Sequence, residues 1–233
     1  MRLLVTRPEP DASRTAATLA ARGHAPIRAP MLSAAFLPPP SAIRPPAAIL
    51  FTSVNAVRAV AAWPQEVLPR DVPALAVGQR TADEARAAGF SDTRSADGDS
   101  TALASLAAEI LDPLAGPLLY PTLAVPSGDL AARLQAAGFT VNQIEAYRMI
   151  AATALPEATE AAIAGDAVDG VLLYSRRTAE TFVALTTALK PHLAALAFYC
   201  LSAEVAIALD TGHIHIADEP NEASLLKLLE AGT

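Results

Sequence analysis

The sequence predicts an α/β fold with parallel sheets. Three observations point to it. Short apolar runs alternate with Ala/Leu-rich segments of helical period. Several of those segments stop at a glycine, the residue that most easily takes the left-handed conformation ending a helix. The pattern also occurs twice along the chain. Strands buried on both faces read as continuous apolar runs, and alternation with helices favours a parallel sheet.

Leu3–Val5 is the first apolar run, followed by a helix over Asp11–Arg22. There Ala12, Ala16, Leu19 and Ala20 share one face, and Gly23 is placed to end the helix. Ile49–Thr52 is followed by a helical stretch from about Asn55. Ala74–Val77 precedes a helix predicted over Thr81–Ala88, with Thr81 and Glu84 at capping-box spacing and Gly89 at its end. Leu118–Tyr120 leads to a helix carrying Leu130, Leu134 and Ala137, closed by Gly138. Val171–Tyr174 and Ala197–Cys200 repeat the theme.

A shift of 115 aligns Leu3, Leu4, Leu19 and Gly23 with Leu118, Leu119, Leu134 and Gly138. A shift of 123 aligns Phe51-Thr52 with Tyr174-Ser175, Ala74 with Ala197 and Gly89 with Gly212. The simplest account is a tandem duplication with about eight extra residues between the blocks of the second copy. The offsets leave two pairings open. Residues 3–31 fold either with 49–110, as consecutive domains, or with 171–230, leaving the middle inserted. Ser33–Pro46, with five prolines, and Glu145–Pro156 read as connections that would form a double linker.

The 233 residues allow one large domain or two small ones. An apolar fraction of 52% against 18% charged supplies a core and argues against disorder. The net charge of −7 argues against general nucleic-acid affinity. Leu193–Leu201 is the longest apolar run, far short of the roughly 18–20 residues that span a bilayer. The start lacks the features of a signal peptide, so a cytoplasmic protein is expected. The single cysteine, Cys200, excludes an internal disulfide and reads as a packed thiol. Lysine occurs only at Lys190 and Lys227. A biased genome composition gives that excess of arginine, so arginine counts only where a motif places it.

In open α/β sheets, ligands sit outside the carboxyl ends of the strands. Helix N-termini there offer free N–H groups that suit anions. The turns in these places are Thr6-Arg7-Pro8, Thr52-Ser53-Val54-Asn55, Gly78-Gln79-Arg80-Thr81, Pro126-Ser127-Gly128, Ser175-Arg176-Arg177 and Ser202-Ala203-Glu204. Singly, each reads as an ordinary helix cap. Together, in two copies of one unit, they would line a cleft with anion-binding donors. There is no dinucleotide glycine fingerprint, no Walker A sequence and no nucleophile elbow. His213 and His215 read as an exposed or edge strand rather than metal ligands.

These motifs carry a resemblance. The sequence resembles the uroporphyrinogen-III synthase family over essentially its whole length. The matching stretches are Val5-Thr6-Arg7-Pro8, Leu50–Val57, Ala76–Ala82, Ala146-Tyr147-Arg148, Leu173-Tyr174-Ser175 and the Pro220–Leu229 tail. The resemblance implies two flavodoxin-like α/β domains with parallel sheets, joined by a two-stranded linker. One domain would be discontinuous, 1–34 with 153–233, and the other inserted, 37–148. It implies closure of linear hydroxymethylbilane to uroporphyrinogen III, with ring D inverted and water lost, by a lyase using no metal or organic cofactor. The substrate carries eight carboxylates, which such turns and a few arginines would bind.

Tyr147 matches the family's cleft tyrosine and is the candidate to assist hydroxide departure. Thr52, Ser53, Gly78, Thr81 and Ser175 match motif positions that face the family's cleft. Asn55, Ser127 and Ser202 are further strand-end binding candidates, and Arg7, Arg80, Arg148 and Arg176 are added on physical grounds. Leu201-Ser202-Ala203-Glu204 departs from the Gly-x-x-Thr-like turn usual in the family's second domain. Glu204 there fits a first-turn acid that complements the helix dipole. A monomer is expected, without nucleic-acid or membrane partners, leaving room for transient contact with the preceding pathway enzyme. The competing reading is a non-catalytic two-domain binder of a tetrapyrrole or another acidic small molecule.

Overall fold

A computed structural model describes residues 1–126 and 128–230. The chain divides into two compact units, one of Met1–Ser33 with Met149–Thr233 and one of Ala34–Arg148. The first unit opens with β1 (Arg2–Val5), α1 (Asp11–Ala21) and β2 (Ala25–Arg28). β3 (Leu32–Phe36) leads out of it. The second unit runs β4 (Ala48–Phe51), α2 (Val54–Ala61), β5 (Ala74–Ala76), α3 (Gln79–Ala87), β6 (Thr93–Ser95), α4 (Ser100–Ile110), β7 (Leu118–Thr122), α5 (Leu130–Ala136) and β8 (Val141–Glu145). β9 (Tyr147–Ala151) leads back. The first unit is completed by α6 (Glu157–Ala164), β10 (Gly170–Leu173), α7 (Arg176–Leu185), α8 (Lys190–Leu193), β11 (Ala197–Cys200), α9 (Ala203–Ala206), β12 (His213–Ile216) and α10 (Glu222–Lys227).

Each unit holds a five-stranded sheet, ordered β12-β11-β10-β1-β2 in the first and β6-β5-β4-β7-β8 in the second. Every strand pair in both sheets is parallel. β3 and β9 form a separate two-stranded sheet. Its flanking bonds, Leu37 N–H to Ala146 O and Ala152 N–H to Met31 O, mark the pair as antiparallel.

The two sheets have one design, with β1 standing where β7 stands and β10 where β4 stands. Leu3 pairs with Pro26 as Leu118 pairs with Val141, so the offset of 115 holds residue for residue. The second offset does not. Leu3 faces Gly170 and Leu118 faces Ala48, which makes it 122 for β4 and β10. Ile49 faces Ala74 and Val171 faces Phe198, which makes it 124 for β5 and β11. The value of 123 is a compromise between two strands separated by connections of unequal length. The structural equivalents are therefore Thr52 with Tyr174, and Ser53 with Ser175.

Burial explains why these residues form these strands. Leu3, Leu4 and Val5 are fully buried, as are all four residues of β4. Both strands are interior, so both faces need apolar side chains. Gly23, Gly89 and Gly138 follow their helices at φ +80, +97 and +90, where a side chain would be strained. One helix start differs from expectation. α3 begins at Gln79 with Gly78 as N-cap, so Thr81 lies inside the helix and is buried. No capping box forms, because Glu84 is drawn to Arg58 by bonds of 2.8 and 3.2 Å.

In the second unit the loop after α2 is tied inward. Trp63 donates its indole N–H to Leu37 O at 2.9 Å. Arg70 is only 9% exposed and donates to the carbonyls of Leu68, Val60, Ala61 and Trp63. Its guanidinium also lies over the Phe90 ring, 5.0 Å from the centroid. Among the described residues, no helix is long and apolar enough to cross a membrane.

Candidate active site

The C-terminal strand ends of the second unit gather a set of hydroxyls. Ser53 is extended, at φ −152 and ψ 142, and caps α2. Its Oγ accepts the Asn55 N–H at 3.1 Å. The Tyr147 phenol, which is only 5% exposed, lies close to the same hydroxyl. Burial pushes the Tyr147 phenol above its ordinary value, and the nearby Tyr120 phenol adds to that. The neighbouring Ser53 hydroxyl opposes the rise without cancelling it. Tyr147 is therefore a protonated donor at neutral pH. Thr52 Oγ1 lies 3.3 Å from Tyr120 Oη.

Gly78 caps α3 in an extended conformation and has open space where a side chain would stand. Neither backbone strain nor packing requires glycine here. Thr81 is largely buried and Arg80 is exposed, both on α3. Arg148 is exposed and bound bidentately to Glu145 at 2.7 and 2.8 Å. That pairing raises the Arg148 pKa and lowers that of Glu145.

In the first unit, Ser175 caps α7, accepting the Thr178 N–H at 3.2 Å, with the Thr178 hydroxyl at 2.8 Å. Arg176 is exposed and pairs with Glu180 at 2.8 Å. Ser202 caps α9 without a side-chain cap bond, and Glu204 is exposed in the first turn of that helix. Arg7 is mostly buried between Asp11 at 3.2 Å and Glu222 at 2.8 Å. Its guanidinium covers the Tyr174 ring at 4.5 Å. Burial opposes ionisation of Glu222, but the Thr15 hydroxyl and Arg7 outweigh it and hold its pKa low. Thr15 and Arg7 approach the buried Tyr174 oxygen without a hydrogen bond of good geometry, and burial pushes that phenol up to about 12. Ser127 lies outside the described residues.

The predicted residues thus fall into sets. The second unit's hydroxyl cluster comprises two contacts: Thr52 meets the Tyr120 hydroxyl, and the Tyr147 phenol lies close to Ser53, which accepts the Asn55 backbone N–H. Ser175 holds the equivalent place in the first. Arg7, Arg148 and Arg176 each face an acid of their own unit. Tyr120 belongs to the hydroxyl cluster but escaped sequence reasoning, since it ends a run that reads as a buried strand.

The family model for uroporphyrinogen-III synthase HemD matches residues 13–227. The chain belongs to this family. No curated protein matches it in sequence. In structure it is similar to uroporphyrinogen-III synthetase from Helicobacter pylori 26695, at 16% identity, 99% coverage of both chains and a TM-score of 0.66. It is also similar to a mutant uroporphyrinogen III synthase from the extremely thermophilic bacterium Thermus thermophilus, at 18% identity, covering 99% of this chain and 98% of that one, with a TM-score of 0.52. At these identities the likeness is one of fold. Uroporphyrinogen-III synthase is an enzyme of haem biosynthesis.

The other reactive side chains of this synthase-family chain have structural places. Cys200 is fully buried in β11, and burial pushes its thiol up to about 11. His215 stacks on Tyr199 at 5.2 Å, and β12 is an exposed edge strand. Among the described residues, no three His, Cys, Asp or Glu side chains are grouped to hold a metal ion.

Proposed function

We propose that this chain closes hydroxymethylbilane to uroporphyrinogen III, inverting ring D and releasing water, as a cyclising lyase. The family match over residues 13–227 carries this reading, and the hydroxyl cluster around Tyr147 supports it. Departure of the substrate hydroxyl wants a proton donor. A buried phenol whose pKa stands above its ordinary value stays protonated and would assist by donating a hydrogen bond to the departing oxygen. The cation left behind is strongly electrophilic. Ring D must then be held so that its substituted α-carbon attacks, giving a spiro intermediate. Unguided closure gives the other isomer, so positioning is the main work of the protein.

Carboxylates of the substrate would be held by hydroxyls and backbone N–H groups at Thr52, Ser53, Asn55, Gly78, Thr81, Ser175 and Ser202, with Ser127 a further candidate. Arg80, Arg148 and Arg176 are exposed and would add charge, but Arg148 and Arg176, like Arg7, would have to exchange the acids they hold, Glu145, Glu180 and Glu222, for a substrate carboxylate. The protein would work as a cytoplasmic monomer.

The test supplies freshly made hydroxymethylbilane, oxidises the products and separates the isomers. Predominance of type III is expected. Mostly type I, as in an enzyme-free control, overturns the assignment, and tight binding with no change in isomer ratio would move it to a binding protein. Gly78→Ala gives a narrower check. With open space and an extended backbone, the variant should fold with unchanged or slightly higher stability. Its KM should rise about three- to tenfold, the scale of one impaired hydrogen bond. An unchanged KM removes Gly78 from the binding set.

A further inference from the structure

Tyr120 stands in the middle of β7, with its ring packed among Ala48, Leu50, Leu75, Leu118 and Leu130. It is 2% exposed. A phenylalanine would fill that core equally well, and burying a hydroxyl costs free energy unless it is hydrogen-bonded. The Tyr120 hydroxyl has such a partner in Thr52 Oγ1 at 3.3 Å. The strand register explains the meeting. Ile49 faces Leu119, so Tyr120 stands opposite Leu50 on the same sheet face, and Thr52 is the next residue of β4's line on that face. The phenol oxygen thus reaches from the apolar layer to Thr52, just past the end of β4 and next to Ser53.

We propose that Tyr120 is a positioning residue for the ring closure, acting through Thr52 to fix the hydroxyl cluster that faces the reacting substrate. This inference rests on the reading of that cluster as the active site. Without Tyr120, Thr52 can rotate its hydroxyl out of line.

The experiment compares wild type, Tyr120→Phe, Thr52→Val and the double variant, measuring kcat and KM for type III formation. Tyr120→Phe keeps the ring and removes only the oxygen. Its kcat should fall about fivefold with KM within about twofold, since the lost interaction aligns reacting groups rather than gripping carboxylates. The double variant should be no slower than the slower single, because both substitutions break the same bond. Wild-type kcat in Tyr120→Phe overturns the inference, as do losses that multiply in the double variant. A purely structural role would lower the denaturation midpoint without this non-additive kcat pattern. If wild type itself forms mostly type I isomer, the functional reading falls and this inference with it. If wild type forms type III and Tyr120→Phe matches it, only the role of Tyr120 falls.

Discussion

Replacing Arg70 with methionine lowers the stability of the second unit by about 3 kcal/mol. Arg70 is a buried cation whose hydrogen-bond partners are backbone carbonyls, those of Leu68, Val60, Ala61 and Trp63. Two of these belong to the last turn of α2, whose carbonyls lack partners within the helix. Methionine fills similar volume but donates nothing, so the carbonyls of Leu68, Ala61 and Trp63 lose a buried donor, while Val60 O keeps the Trp63 N–H at 2.9 Å. It also forfeits the attraction of the guanidinium for the Phe90 ring. Burial pulls the Arg70 pKa below its ordinary value, yet arginine remains charged at any pH at which the fold survives. The lone tryptophan, Trp63, is a local reporter, since Arg70 bonds its carbonyl. Its fluorescence in urea should show a lower midpoint at unchanged slope. An unshifted midpoint would mean that water or relaxed backbone satisfies those carbonyls.

Tyr147→Phe should slow type III formation about ten- to a hundredfold, the lower range of what one proton donor contributes. The ring remains packed, and Ser53 keeps its backbone bond from Asn55, so the fold and product binding should stay near wild type. The loss should appear in kcat more than in KM. The pH profile offers a second reading. An exposed tyrosine loses its proton around 10.0, whereas burial places Tyr147 higher. Turnover that depends on a protonated phenol should therefore persist through the range where an exposed tyrosine ionises. Undiminished kcat in Tyr147→Phe would remove its role as donor.

The alternation of strands and helices was legible because interior parallel strands such as Leu3–Val5 and Ile49–Phe51 must be apolar on both faces. The offset of 115 was legible to the residue because β1–α1–β2 and β7–α5–β8 have equal spacing. The second offset blurred because the length of a loop leaves no periodic trace. The strand-end turns were visible as polar stretches after apolar runs, but their tertiary partners were not. Nothing in the sequence around Arg7 announces Glu222, 215 positions away. Thr81 and Glu84 imitate a capping box, yet the helix starts at Gln79 once Gly78 takes the extended cap position and Arg58 claims Glu84. Tyr120 hid for a different reason. Its ring belongs to the core, and only the register of β4 against β7 reveals that its oxygen meets Thr52. Arg70 hid likewise, since a loop arginine between Pro69 and Asp71 carries no pattern that marks it as buried.

The crossed path of the chain imposes an order on its assembly during synthesis. β1 is an interior strand of the first sheet, with β2 on one side and β10 on the other. The contact of Arg2 with Asp169 spans 167 positions. As the chain leaves the ribosome, Leu3, Leu4 and Val5 emerge first but find their second neighbour only after the whole of Ala34–Arg148 has been made. The middle unit, whose strands lie within one continuous segment, can close while the amino-terminal β1–α1–β2 piece still waits with one apolar edge uncovered. Through that interval the uncovered edge of β1 is the place where mispairing would begin, so slower translation of the middle segment should lower the yield of folded protein unless a chaperone covers it.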